Sequence, residues 1–222
     1  MRPDRFRSRA PALIRLDPFY PILPDTDWLA RLLPLGIKLV QLRLKDKPRP
    51  VVSAEIEKAI ALCAAHRCQL VVNDYWREAI DKGADFVHLG QEDLAEAHLP
   101  AIRAAGLRIG VSTHSHAELD AALAAGADYV ALGPIYETRL KAMKWAPQGL
   151  SRLAEWRTRI GCPLVAIGGL TRDRAAAVLS AGADSAAVIT DIVTSEDPDL
   201  SVKNWIAATA PWRRQSTDRA QA

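Results

Sequence analysis

From Phe19 onward, short apolar runs alternate with longer segments in which apolar residues recur at helical spacing. Short runs bounded by glycine or polar residues predict buried strands, and the three-and-four spacing predicts helices packed over them. The predicted strands are Tyr20 to Leu23, Leu39 to Arg43, Gln69 to Asn73, Phe86 to Leu89, Arg108 to Ser112, Tyr129 to Gly133, Pro163 to Ile167 and Ser185 to Ile189. Helices are predicted over Asp27 to Leu35, Val52 to Ala65, Ala95 to Ala105, His116 to Ala125, Thr171 to Ala181 and Leu200 to Thr209. Each pair takes about 20 to 30 residues, the rhythm of βα units in a parallel sheet. The tripeptide Gly-Ala-Asp recurs at Gly83, Gly126 and Gly182, each time leaving a helix and entering a strand. Eight such units without a break in composition predict an α/β fold, a single (β/α)8 TIM barrel over residues 19–210. A basic arm, 1–18, precedes it, and a polar stretch, 211–222, is expected to be a flexible tail. An open doubly wound sheet is disfavoured, because no Gly-x-Gly-x-x-Gly follows the first strand.

The second strand departs from plain hydrophobicity. In Leu39-Val40-Gln41-Leu42-Arg43-Leu44-Lys45-Asp46 the polar residues alternate with apolar ones, so Gln41, Arg43 and Lys45 share one face and Val40, Leu42 and Leu44 the other. Both faces must therefore be covered, which suits a barrel strand ending in a chemical site. A row of amide, guanidinium and ammonium is matched to a phosphate or pyrophosphate: arginine clamps two oxygens at once and lysine adds a point charge.

Charge and composition narrow the partners. The 29 basic and 26 acidic residues are dispersed, with a net charge of +3, so a nucleic-acid surface is not indicated. No apolar run is long enough to cross a bilayer and no secretory hydrophobic segment follows the basic start, so a cytoplasmic protein is expected. Cys63, Cys68 and Cys162 lack a CxxC pair, which favours free thiols over disulfides or a zinc site. The expected partners are small molecules, and homo-oligomerisation is left open.

In a TIM barrel, functional groups follow the strand ends. Asn73-Asp74 end the third strand, Asp93 follows the fourth, and Ser112-Thr113-His114 end the fifth. Asp74 and Asp93 leave neighbouring strands and suit Mg2+, which takes one or two carboxylates and completes its shell with water and substrate phosphates. The alternative is that each caps the helix after it. Gly168-Gly169 precede a predicted helix start, where backbone amides can hold an anion. His88 and His114 are either acid–base groups or satisfied structural histidines. The stretch from Glu137 to Gln148, with Thr138, Lys141 and Lys144, is long for a βα loop and is expected to act as a lid.

The segments VQLRLKD (40–46), NDYWREAI (73–80), VHLGQEDL (87–94), GVSTHS (110–115), GPIYETRLK with APQGL behind it (133–150) and VAIGGL (165–170) resemble thiamine phosphate synthase in order and spacing, from about Phe19 to Ile192. The resemblance implies a barrel transferase that joins 4-amino-5-hydroxymethyl-2-methylpyrimidine diphosphate to 4-methyl-5-(2-hydroxyethyl)thiazole phosphate, with Mg2+ as cofactor. It implies that Gln41, Arg43, Lys45, Asn73 and Lys141 hold the pyrimidine diphosphate, Asp74 and Asp93 the metal, and that Ser112 stands near the reacting pyrimidine. Thr138, Gly168, Gly169, Ile189 and Thr190 would contact the thiazole phosphate; Arg43, Lys45, Ser112 and Lys141 would carry the catalysis. Glu137, Leu140 and Thr190 depart from residues usual in the family, proline, threonine and serine respectively. Two related readings are a thiazole tautomerase with a base such as His114, and a non-catalytic barrel that binds thiazole phosphate as a regulator.

Overall fold

The structure is a computed structural model that describes residues 15–138 and 145–218, with side chains to Arg213. Lys141, Leu140 and Lys144 lie outside the described residues, as do most of the basic arm and the core of the expected lid. Eight strands appear at the eight expected places, each end within one residue: β1 (Phe19–Leu23), β2 (Leu39–Leu42), β3 (Gln69–Asn73), β4 (Phe86–Leu89), β5 (Arg108–Thr113), β6 (Tyr129–Leu132), β7 (Leu164–Ile167) and β8 (Ser185–Val188). All neighbours pair in parallel, and β1 pairs with β8 to close the barrel.

Closure sorts residues by parity. Val40, Leu42 and Leu44 point outward into a shell beneath the helices, with Val87, Leu89, Ile109, Val111, Val130 and Leu132. Residues of the other parity, among them Tyr20, Ile22, Leu39, Val71, Phe86, Tyr129 and Val165, fill the inside. The two sets form separate apolar clusters on the two sides of one sheet. Gly110 faces inward where the Tyr129 ring lies; a Cβ there would stand 2.0 Å from Tyr129 Cζ.

Ten helices cover the barrel among the described residues, and local chemistry sets their ends: α1 (Thr26–Leu32), α2 (Arg49–Ala65), α3 (Trp76–Lys82), α4 (Gln91–Glu96), α5 (Leu99–Ala104), α6 (His116–Ala124), α7 (Gly149–Arg159), α8 (Arg172–Ser180), α9 (Thr190–Val193) and α10 (Pro198–Asp218). Asp25 caps α1 by accepting from Asp27 and Trp28 amides, and Ser115 caps α6 through the Glu118 amide. The helix expected as one piece over 95–105 is two, because Ala97 is extended and Pro100 sits in the first turn of α5, which His98 caps. Pro34 turns the end of the first expected helix into a 3-10 turn. Each Gly-Ala-Asp glycine has positive φ, and the following alanine amide reaches back to the helix, as from Ala127 to Ala122 O at 3.0 Å. The repeat also carries a clip: Asp128 binds the Ile109 amide and Arg103, and Asp184 binds the Leu164 amide and Arg157, each contact 2.7–2.8 Å.

The C-terminal end is helical beyond the expected barrel boundary. Where a tail was expected from residue 211, α10 continues to Asp218 through Pro211. Arg213 donates to both oxygens of Asp17 at 2.7 and 2.9 Å, tying the helix to the approach of β1. Nothing in apolar spacing signals that bond, because it joins residues 196 apart.

Gly110→Ala should keep the barrel but force the Tyr129 ring aside. Overpacking of this kind destabilises by about 1–3 kcal/mol, or a fall in melting temperature of roughly 2–10 °C for a chain of this size. Thermal unfolding followed by circular dichroism measures it, and an unchanged midpoint would show that the ring has room to move.

Candidate active site at the C-terminal end of the barrel

A cavity of about 620 Å3 opens at the C-terminal ends of the strands, and every expected site residue within the described set lines it. The basic row enters from β2. Gln41 is on the strand and buried, Arg43 follows its last residue, and Lys45 lies further out and is exposed. Backbone pairing continues past the strand, with the Arg43 amide donating to Leu23 O at 2.8 Å, and this keeps Arg43 turned inward. A second cavity of about 590 Å3 between β1, β2 and β8 shares Arg43, Lys45 and Ile189, so these residues border both spaces.

The carboxylates come next around the ring. Asn73 ends β3 and its side-chain amide donates to Asp74 Oδ2. Asp74 itself has φ 65°, a left-handed conformation that aspartate tolerates, and its amide binds His88 O at 2.9 Å. Asp93 sits in the first turn of α4. Neither is an N-cap, since Tyr75 and Gly90 hold those positions. Instead the two carboxyls meet: Asp74 is pushed from 3.8 up to about 6, first by burial, then by the charge and hydrogen bond of Asp93, against the opposing pull of Arg43 and Asn73. Gly90 leaves the room for this, because a Cβ there would be 3.0 Å from Asp93 Oδ2.

On the opposite side, Gly168 and Gly169 have φ of 95° and 66°, and β-carbons on them would strike Pro134 Cα at 2.6 Å and Glu137 O at 2.3 Å. The pair is therefore required by packing against the β6 loop, whose Ile135 and Tyr136 amides bind Ile167 O and Gly168 O at 2.9 and 3.0 Å. Thr138, Ile189 and Thr190 complete this wall. Thr190 begins α9, a short extra helix after β8 whose Asp191 ties it to the start of α8 and to Trp205 of α10.

Three side chains at the floor were not singled out as functional from sequence, or were weighed as structural. Tyr20, Tyr129 and His88 are buried and hydrogen-bonded in series between Gln41 and Ser112. Burial, and then the charge of Arg43, lowers His88 from 6.5 to about 4, so its ring is neutral. The available signal was parity: each occupies an inward position on its strand, and His88 and Tyr129 flank the glycine at Gly110 from the two neighbouring strands. His114 also lines the cavity; Glu118 Oε2 holds its Nδ1 at 2.8 Å and its ring stacks on Trp145 at 5.8 Å.

Comparison with known proteins adds to this geometry. Residues 21–192 match the family model described as thiamine monophosphate synthase. A thiamine-phosphate synthase of Rhizobium etli is 63% identical over 201 residues, 90% of this chain and 98% of that protein. One of Salmonella dublin is 48% identical over 192 residues, 86% of this chain and 88% of that protein. The solved structure of a thiamine phosphate pyrophosphorylase from Pyrococcus furiosus has a TM-score of 0.79 at 27% identity, covering 88% of this chain and 96% of that one.

Asp74 yields a test by pH. With its folded value raised to about 6 from 3.8, the metal-free folded state holds more protons than the unfolded one in that window, so stability falls as pH rises from about 4 to 6. Asp74→Asn should abolish this fall and melt above the parent at about pH 7 in chelator. Melting temperatures across pH measure it, and parallel profiles for the two proteins would contradict the raised value.

Proposed function

The chain belongs to the thiamine monophosphate synthase family and is a transferase of thiamine biosynthesis; from that premise we propose how its cavity joins the pyrimidine diphosphate to the thiazole phosphate. The observation that carries the reading is the meeting of Asp74 and Asp93 beside Arg43 in one cavity, across from Gly168 and Gly169. Two facing carboxylates that resist ionising together are suited to a dication, and hard oxygen donors of this number fit Mg2+. Among the described residues no group of three or more His, Cys, Asp or Glu could hold a metal ion by itself, so a metal on Asp74 and Asp93 would need water and substrate phosphate to complete its shell. When bound, Mg2+ would neutralise charge on the departing pyrophosphate.

Arg43 clamps diphosphate oxygens, Lys45 adds charge at the mouth, and Gln41, Asn73 and Ser112 orient the pyrimidine ring. The bond between the ring's methylene carbon and the bridging oxygen breaks with both electrons leaving on pyrophosphate. The amino-substituted ring spreads the positive charge, and the thiazole nitrogen donates its lone pair to the same carbon. No protein nucleophile is needed, so charge neutralisation and alignment supply the acceleration. Thr138, the Gly168-Gly169 amides, Ile189 and Thr190 position the thiazole phosphate, at the place where barrels of this class often bind phosphate. Lys141, assigned to the diphosphate, keeps that assignment by sequence resemblance alone. Three free thiols support a cytoplasmic setting, and no helix among the described residues is long and apolar enough to cross a membrane.

The direct experiment mixes purified protein, Mg2+ and both substrates and measures thiamine phosphate and pyrophosphate. A non-catalytic barrel would retain thiazole phosphate and release no pyrophosphate. Arg43→Lys keeps the charge but loses the fork, so kcat/KM should fall by about 10- to 150-fold, the equivalent of ~1.5–3 kcal/mol. Unchanged kinetics would show that Arg43 points elsewhere. Asp93→Ala should fold normally and lose most activity, with excess Mg2+ restoring part of it; full turnover in chelator would remove the metal assignment.

A further inference from the structure

Five side chains from five strand positions form one buried chain of hydrogen bonds across the floor of the cavity. Gln41 Nε2 donates to Tyr20 OH at 3.1 Å, and Tyr20 OH meets Tyr129 OH at 3.0 Å. Tyr129 OH meets His88 Nδ1 at 2.8 Å, and His88 Nε2 meets Ser112 Oγ at 2.8 Å. Gln41, Tyr20, Tyr129 and His88 are 3%, 1%, 0% and 7% exposed, while Ser112 opens onto the cavity. With so little of these four side chains exposed, they find their hydrogen-bond partners chiefly within the chain.

Counting protons gives the chain a direction. The Gln41 amide nitrogen can only donate, so the Tyr20 oxygen accepts and passes its single hydrogen to Tyr129. Tyr129 then passes its hydrogen to His88 Nδ1, which leaves the ring proton of the neutral imidazole on Nε2. That proton goes to Ser112 Oγ. The serine's own hydrogen is thereby excluded from the floor and turned toward the cavity, where the ring nitrogens and diphosphate oxygens of the substrate are acceptors.

We propose that His88, held in its Nε2–H tautomer by Tyr129, Tyr20 and Gln41, is a positioning residue that fixes Ser112 as a hydrogen-bond donor to the pyrimidine diphosphate. The inference rests on the reading of Ser112 as the side chain beside the pyrimidine. It also gives Gln41 a second task and explains two buried tyrosines inside an otherwise apolar floor. A further consequence concerns Gly110, whose missing side chain makes the space for the Tyr129 ring and so for the hydroxyl in the middle of the chain.

The test is a double-mutant cycle with a spectroscopic readout. Tyr129→Phe keeps the ring and deletes the central hydroxyl, so it should lower the single-turnover rate by about tenfold with little change in KM for the pyrimidine diphosphate. Ser112→Ala should also slow turnover. If His88 acts through Ser112, Tyr129→Phe costs nothing further in the Ser112→Ala background. Nitrogen-15 shifts of His88 in the unmodified protein should report the Nε2–H tautomer, a measurement that needs no variant to fold. Rates that multiply across the cycle, or an Nδ1–H tautomer in the unmodified protein, would overturn the proposal. Ser112→Ala at the full rate would overturn it by a separate route, because the underlying role of Ser112 would then be the part that failed.

Discussion

Closure of the sheet constrains everything else in this molecule. Eight parallel strands joined edge to edge leave an interior that admits only alternate residues of each strand, and that interior must be filled. The lower part is filled by Leu39, Val71, Phe86 and Val165, which gain from leaving water and need no partners. Higher up the same inward positions carry Gln41, Asn73, His88 and Ser112, which do need partners. On β2, β3 and β4 the transition from apolar floor to polar mouth therefore occurs within two residues, from Leu39 to Gln41, Val71 to Asn73 and Phe86 to His88. It is bridged by Tyr20 and Tyr129, whose rings belong to the apolar layer and whose hydroxyls belong to the polar one.

The mouth is held in electrostatic tension. Arg43 favours the ionised form of Asp74 and disfavours protonation of His88, while Asp93 pushes Asp74 the other way. A protein without ligands would be more stable with fewer charges gathered in this space. The metal and diphosphate proposed for this space would relieve that tension by bringing opposite charges of their own. The outer clips formed by Asp128 with Arg103 and Asp184 with Arg157 lie at the strand starts and serve the frame.

The two sides of the cavity are built by different means. On the carboxylate side the site is made by side chains, with left-handed backbone at Asp74 and at Asp46 after the basic row. On the Gly168-Gly169 side, the backbones of the β6 and β7 loops approach so closely that only glycine fits. That division suits the two substrates proposed for the site: charged groups for a diphosphate, and main-chain amides for a monophosphate. His114, pinned by Glu118 and stacked on Trp145, stands at the rim between them.

The barrel was legible in the sequence because a buried parallel strand and its covering helix each have a period that one chain can display locally. The strand positions agree within one residue, and the strand-end rule brought together Gln41, Arg43, Asn73, Asp74, Asp93, Ser112, Thr138, Gly168, Gly169, Ile189 and Thr190 without any coordinates. Helix ends were less legible where proline acts against apolar spacing, as at Pro34 and Pro100. What only the tertiary structure decided are relations between residues far apart in the chain. Periodicity assigns Tyr20 and Tyr129 to strands but cannot state that their hydroxyls touch across 109 residues. Nor can it show that Asp74 and Asp93 share a proton-binding environment rather than cap two helices, or that Arg213 closes onto Asp17. Those facts depend on the stagger and tilt with which eight strands close, a property of the whole ring and of no segment within it.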